Sequence, residues 1–449
     1  MPRPRVARTP RRRLALGLLI ANQLLAGVGV ASAISIAAIL VADLTGVTAL
    51  GGLSQSASVL GSAAAAVPLA RLAVRSGRHV ALATGYAFAC AGAVLVIAAA
   101  TSGLILLVFV GLAAFGAGAA AGLQARFAAT EVASPGYEAR SMSLVLWATT
   151  IGSVAGPLLS QSGDTLGRAL GLPPLVGPFL ISAAVFAAST VLAATVLRLP
   201  KAGQLATDVA DAAAPATAPA ASPAPASASA PAPAPAPAAA ASAAPAAAKP
   251  TGSWHALRTA VREPIPRFAI LAIVCSHTVM VGIMVMTPVH MTAHGASLLA
   301  VGIVVSIHIF GMYGASPLFG WLADRIGPVL VIAGGAVLLL AAALIGIFAP
   351  PGDMLLLPLA LGLLGFGWSA GLIGGSMLLT TTVDPAHRVP LQGATDATMN
   401  VAAAASAALS GVVLGTAGYA GVNVVAILVL VPLAIAGFTL PRGRMRVAT

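Results

Sequence analysis

Apolar runs of twenty or more residues recur along both halves of this chain. A helix of about 20 apolar residues spans the ~30 Å hydrocarbon core of a bilayer. A helix on the surface of a soluble protein needs a polar face, and these runs lack one. Backbone groups in lipid must bond within their own segment, which leaves helices as the spanning element. A membrane barrel would show ~10-residue alternating strands instead. Composition agrees: 59% of the residues are hydrophobic and only 8% are charged, where an average soluble chain carries about 25%.

The runs predict an all-α membrane protein with twelve transmembrane spans, near 14–42, 48–70, 79–100, 103–128, 141–160, 176–198, 268–291, 298–319, 328–349, 354–380, 392–415 and 420–439. The net charge of +12 invites a nucleic-acid reading, but the cations fall in short clusters between spans. With the first residue inside, every Lys and Arg except Arg168 falls on the inner side. That asymmetry is the positive-inside rule, so the reading is a multi-pass plasma-membrane protein with both termini cytoplasmic and no nucleic-acid partner. Arg11, Arg12 and Arg13 precede an apolar run too long for a signal peptide, so it reads as the first span. Cys90 and Cys275 lie far apart inside spans and suggest neither a disulfide nor a metal site.

Residues 212–248 contain only Ala, Pro, Ser and Thr. Such a chain stays extended and solvated and packs no core. The organisation expected is a six-helix half over 1–198, a cytoplasmic linker over 199–266 and a second six-helix half over 267–449. Inside the linker, Ser253 can cap a short surface helix with Trp254, Leu257 and Val261 on one side. The halves repeat: the basic turn at Arg75 recurs at Arg325, and the turn at Arg140 recurs at Arg388, at nearly equal offsets. Paired halves around a mid-membrane site are a common plan of secondary transporters.

Gly320-Trp321-Leu322-Ala323-Asp324-Arg325-Ile326-Gly327 resembles the loop signature of the major facilitator superfamily, G-x-L-A-D-R-x-G-R-R. The first-half copy keeps Arg75, Gly77 and Arg78, but Val74 stands at the acid position and Ala70 at the first glycine. The resemblance implies a latch between helices in one conformational state. Gly152, Gly156 and Pro157 resemble part of the family's antiporter signature, with Ser160 and Gln161 replacing its final glycines. Gly116-Ala117-Gly118-Ala119-Ala120 resembles the end of its helix-4 motif, with Leu112 at the arginine position. The chain is thereby similar to an actinobacterial drug/proton antiporter-like member, which implies export of a small compound in exchange for protons.

Ionisable residues inside spans are costly and mark functional candidates. Asp396 shares one face with Gln392 and Asn400 at i, i+4, i+8. It reads either as a proton carrier or as a structural carboxylate near Arg388. His277, Met280, Met284, Thr287 and Met291 form one stripe. Methionines suit varied apolar ligands, and a histidine can titrate near neutral pH; helix packing is the alternative. His308 stands as a second titratable candidate. Asn22 and Gln23, Gln55 with Ser58 and Ser62, and Thr149 with Ser153 line a polar cavity or hydrogen-bond between helices. His290 and His294 have metal-ligand spacing but no third ligand nearby. There is no phosphate-binding loop and no nucleophile elbow.

The reading is therefore a secondary transporter, not an enzyme. It needs no cofactor or metal, has a small-molecule substrate and the lipid bilayer as its partners, has protons as its candidate coupling ion and is expected to be a monomer. A facilitator-type importer or uniporter is the alternative. From another class, a non-transporting membrane receptor or assembly partner has only the linker in its favour.

Overall fold

The structure, a computed structural model, describes residues 10–132, 138–196 and 253–440. Residues 199–252 of the expected linker lie outside the described residues, as do Arg3, Arg5, Arg8, Arg442, Arg444 and Arg446.

The described residues form helices throughout. In chain order they are α1 Pro10–Thr45, α2 Thr48–Ser76, α3 Arg78–Ser102, α4 Ile105–Phe115, α5 Ala117–Val132, α6 Glu138–Leu158, α7 Ser160–Ala169 and α8 Gly177–Val191, which runs into a π turn at Leu192–Val196. Then come α9 Ser253–Ala260, α10 Pro264–Ala293, α11 Leu298–Tyr313, α12 Ser316–Ile326, α13 Pro328–Phe348, α14 Leu356–Thr382 and α15 Pro385–Phe438.

Ten helices among the described residues are long and apolar enough to cross a membrane, and α6 with α7, bent by 52°, makes an eleventh crossing. The apolar stretch Leu391–Phe438 of α15 has 48 residues. At 1.5 Å per residue it is about 72 Å long, more than twice the ~30 Å core. Gly418, at φ 67 and ψ −173, breaks it into two. Twelve crossings result, in the order the hydropathy predicts.

The breaks have local causes. The fourth crossing interrupts at Gly116, where the backbone of Ser58 and Ser62 takes the space of a side chain. The fifth bends just after Pro157, which has no N–H to give to the helix ladder. The expected loop between the last two spans shrinks to the single residue Gly418, whose positive φ suits glycine.

Packing follows the small-residue logic of membrane helices, where backbones approach where side chains are absent. Gly152 and Gly156 of α6 meet the α1 backbone at Leu24 and Val28. One core holds Leu19, Leu82, Tyr86, Phe115, Phe179 and Phe186 of the first six crossings. Phe186 is stacked on Tyr86 at 6.0 Å and sits edge-on to Phe115 at 5.4 Å. A second core joins α10, α11, α13, α14 and α15 and takes in Ile36 and Ile39 of α1.

The short helix α9 forms where expected but turns a different face inward. Ala256, Leu257 and Ala260 are buried with Phe268, Leu391 and Leu440. Trp254 is 63% exposed and Val261 38% exposed. The helix packs on α10 and α15 through Ala256, Leu257 and Ala260, and the larger Trp254 stays outside.

Candidate functional site

Where the first six crossings meet the last six, the closest contacts gather at the end of the bundle away from α9. Ser56 Oγ of α2 donates to the Ala404 carbonyl of α15 at 2.7 Å. Ser306 Oγ of α11 donates to the Val154 carbonyl of α6 at 2.7 Å, and Leu299 N donates to Gln161 Oε1 at 2.9 Å. Gly52 abuts the Ala407 carbonyl, Gly411 the Ala49 carbonyl and Gly302 the Pro157 carbonyl.

Toward the α9 end the same helices part. At 3.6 residues per turn, Ala63, Val67 and Ala70 continue the α2 stripe that begins at Gly52 and Ser56. All three are exposed. On α15 the matching stripe continues through Ala397 and Gly393, also exposed. The result is a cleft, sealed at the far end and open at the α9 end.

Asp396, Gln392 and Asn400 lie in this cleft. Helix α15 turns Ala404 and Ala407 toward α2, and Ser406 toward α10, where its Oγ donates to the Thr278 carbonyl at 2.9 Å. The face of Gln392, Asp396 and Asn400 points between those two directions. Gln392 and Asp396 are exposed and Asn400 is half-buried. Asn400 Nδ2 donates to the Asp396 carbonyl at 2.8 Å, which leaves the Asp396 carboxylate to the cleft.

At the apex, beside the seal, sit Gln55 and His277. Both are half-buried. Gln55 neighbours Ser56, and His277 neighbours Thr278, so both lie at the depth of Ala404 to Ser406. His277 Nδ1 accepts a hydrogen bond from Trp368 Nε1 at 2.8 Å, and Tyr313 meets the Trp368 ring edge-on at 5.7 Å. Met284, two turns along α10, is half-buried, whereas Met280, Thr287 and Met291 are buried in the second core.

Asn22 and Gln23 are fully buried. Gln23 Nε2 donates to Thr149 Oγ1 at 3.1 Å and its Oε1 accepts from the Tyr86 hydroxyl at 2.6 Å. This network ties α1, α3 and α6 together. Ser153, on α6, is half-buried. His308 is also buried; its Nδ1 lies 2.8 Å from the Leu361 carbonyl and its Nε2 has no partner. His290 is stacked on Tyr419 at 4.4 Å, and His294 Nδ1 lies 2.8 Å from the His290 carbonyl.

The two basic turns have one geometry. Gly77 (φ 100, ψ 158) and Gly327 (φ 90, ψ 149) each end one helix and begin the next. Their N–H groups donate to Ala73 and Ala323 at the same 3.1 Å. Asp324 is exposed, and among the described residues it forms no ion pair. Arg325 sits 5.0 Å over the Trp321 ring. Arg75 is exposed and Arg78 half-buried; Gly320 has open space beside it.

Tyr86, Trp368 and Tyr313 are site neighbours that pattern reading missed. The available signal was their rarity: four Tyr and four Trp occur in 449 residues, and an aromatic with a polar handle inside a span needs a partner.

Among the described residues, twelve crossings in two packed sets around a one-sided cleft define a multi-pass membrane transporter. The comparisons agree. A family model described as Major Facilitator Superfamily matches residues 269–447. The MFS-type transporter YdeG of Bacillus subtilis (strain 168) is 33% identical over 406 residues, covering 90% of this chain and 86% of that one. The riboflavin transporter RfnT of Brucella anthropi is 27% identical over 313 residues, 69% of this chain and 67% of its own. A crystal structure of a bacterial homologue of the human lysosomal transporter Spinster aligns with TM-score 0.66 at 16% identity, over 96% of both chains. The chain belongs to the major facilitator superfamily.

Proposed function

We propose that this transporter works by alternating access and exports a small, largely apolar compound in exchange for protons. One observation carries the reading: the cleft is sealed at one end and open at the other, and an accessible carboxylate, Asp396, stands on its wall. Rocking the two sets of helices about the Gly52–Ala407 and Gly302–Pro157 contacts would open the sealed end. Whole-cell accumulation of a compound panel, with and without a protonophore, tests it. A protonophore is expected to raise accumulation of exported compounds. Accumulation unmoved by the protonophore for every compound removes proton-driven export.

A facilitator-type importer or uniporter is the second reading. Leu112 at the family's arginine position favours it. A non-transporting receptor draws support only from the linker.

The orientation belongs to this proposal: the α9 end faces the cytoplasm, on the strength of the cation asymmetry. A cysteine introduced at Ser227 is expected to resist impermeant thiol reagent in intact cells and to react after lysis. Labelling without lysis would reverse the assignment.

The Gly320–Gly327 turn acts as the latch in this reading, with Arg75, Gly77 and Arg78 as its first-half counterpart. Asp324 is exposed and lies at the membrane surface, remote from the Gln55–His277 apex. Asp324→Asn is therefore expected to slow transport about tenfold while equilibrium binding changes by less than about twofold, the pattern of a weakened state-specific contact. Binding that falls in step with transport removes the latch.

A further inference from the structure

We infer that His277 is a fixed hydrogen-bond donor for substrate, and that the compound it recognises is a flat, neutral aromatic ring system carrying a carbonyl or ring-nitrogen acceptor. This deepens the transporter reading and rests on it for the cleft being the substrate path.

The first step is the tautomer. An indole N–H donates and cannot accept. Trp368 Nε1 lies 2.8 Å from His277 Nδ1, so Nδ1 presents its lone pair. The single N–H of the neutral imidazole is then on Nε2. A second proton at Nδ1 would set N–H against N–H and break the Trp368 bond. Trp368 is itself held, 6% exposed within the second core, with Tyr313 against its edge. The donor is thus oriented before any ligand arrives.

The second step is access. Among the described residues, Nε2 has no hydrogen-bond partner and is not a sealed atom, in contrast to Nε2 of His308, which is both buried and unpartnered. Helix α10 meets α14 through Ala269, Ile273 and Ser276 and meets α15 through Thr278 and Gly282. His277 reaches Trp368 from the edge of the α14 contact, on the face that also carries Met284. An unpaired donor at the cleft apex costs nothing while water reaches it, and rewards a ligand that brings an acceptor.

The third step is shape. His277 and Trp368 pack with ring centroids 5.9 Å apart, and Tyr313 extends the aromatic wall. Flat rings pack on such surfaces by offset or edge contact. Among the described residues, no cation stands at the apex to prefer an anionic ligand. Asp396 lies ten residues, about 15 Å along α15, from Ser406, whose Oγ meets the Thr278 carbonyl beside His277. The histidine and the carboxylate therefore do separate tasks: His277 recognises, and Asp396 carries charge.

The test uses the full-length protein in nanodiscs with two fluorescent probes of one shape: acridone, which has a carbonyl acceptor, and anthracene, which has none. Anisotropy titrations, corrected with empty nanodiscs, give the affinities. Acridone is expected to bind tighter than anthracene. His277→Phe should weaken acridone about tenfold, the value of one hydrogen bond of about 1.4 kcal/mol, and leave anthracene unchanged. His277→Gln, which keeps an N–H donor, should stay within about threefold of the parent. For Trp368 as a positioning residue, ¹⁵N spectra of the imidazole should show one Nε2–H tautomer in the parent and a mixture in Trp368→Phe. Equal binding of the two probes, no binding of acridone, equal loss of both in His277→Phe, or an unchanged tautomer in Trp368→Phe each overturns the inference. Intact acridone binding without flux in any imposed gradient would instead overturn the transport reading and leave the recognition site standing.

Discussion

Asp396→Asn is expected to abolish gradient-driven transport while substrate exchange between equilibrated compartments persists. The carboxylate is exposed on the cleft side of α15, between the α2 and α10 contact directions. Its neighbour Asn400 bonds the Asp396 backbone carbonyl and not the carboxylate. No ion pair among the described residues holds the side chain; Arg388, the cation expected beside it, gives its Nε to the Val383 carbonyl at 2.8 Å. An ionisable group kept inside a span without a structural partner marks an ion pathway. Asn preserves shape and removes the proton site. Proteoliposomes with an imposed pH gradient decide the matter. Net flux should fall to the passive background, with counterflow exchange held within about threefold if substrate contacts are uniform-binding contacts. Undiminished gradient-driven flux would remove Asp396 as the coupling site, and parallel loss of both activities would make it a structural carboxylate.

How far this was legible in the sequence differs by level. Span number and order came from hydropathy, because length and polarity in lipid leave one solution. The basic turns came from Arg75–Gly77 and Arg325–Gly327, since positive φ after a helix demands glycine, and both glycines adopt it. The face of Asp396, Gln392 and Asn400 also followed from spacing. Burial did not. Gln23 and Gln55 look alike as mid-span amides, yet Gln23 is sealed between Thr149 and Tyr86 while Gln55 reaches the cleft edge. Period 3.6 tells which residues share a face but not which neighbour covers that face. The pairing of Trp368 with His277 joins residues 91 apart in sequence, and only tertiary structure fixes the tautomer. The short helix α9 shows the same limit: its apolar residues point two ways, and packing buried Leu257 with two alanines while Trp254 and Val261 stayed outside.

Gly52→Val should lock the far end open. A Cβ at Gly52 would collide with the Ala407 carbonyl and with the Gly411 backbone, atoms that belong to α15 on the opposite set of helices. The clash exists only while the far end is sealed, so the substitution disfavours one state and spares the other. Overpacking of this kind costs about 1–3 kcal/mol, which corresponds to a roughly 5- to 150-fold shift between states. Two reporters read the shift in a background lacking Cys90 and Cys275. A cysteine at Gln392, exposed in the α9-end cleft, should lose reactivity. A cysteine at Ala407, buried in the seal, should gain it. Gly61 provides the contrast: its Cβ would meet the Ala113 backbone within the same set of helices. Gly61→Val should therefore lower thermal stability without exchanging the two reactivities. Gly334→Ala, at an exposed position with nothing near its Cβ, should change neither. A folded Gly52→Val protein in which both cysteines react as in the parent would mean that the α2–α15 contact does not separate during transport, and alternating access about this seal would fail with it.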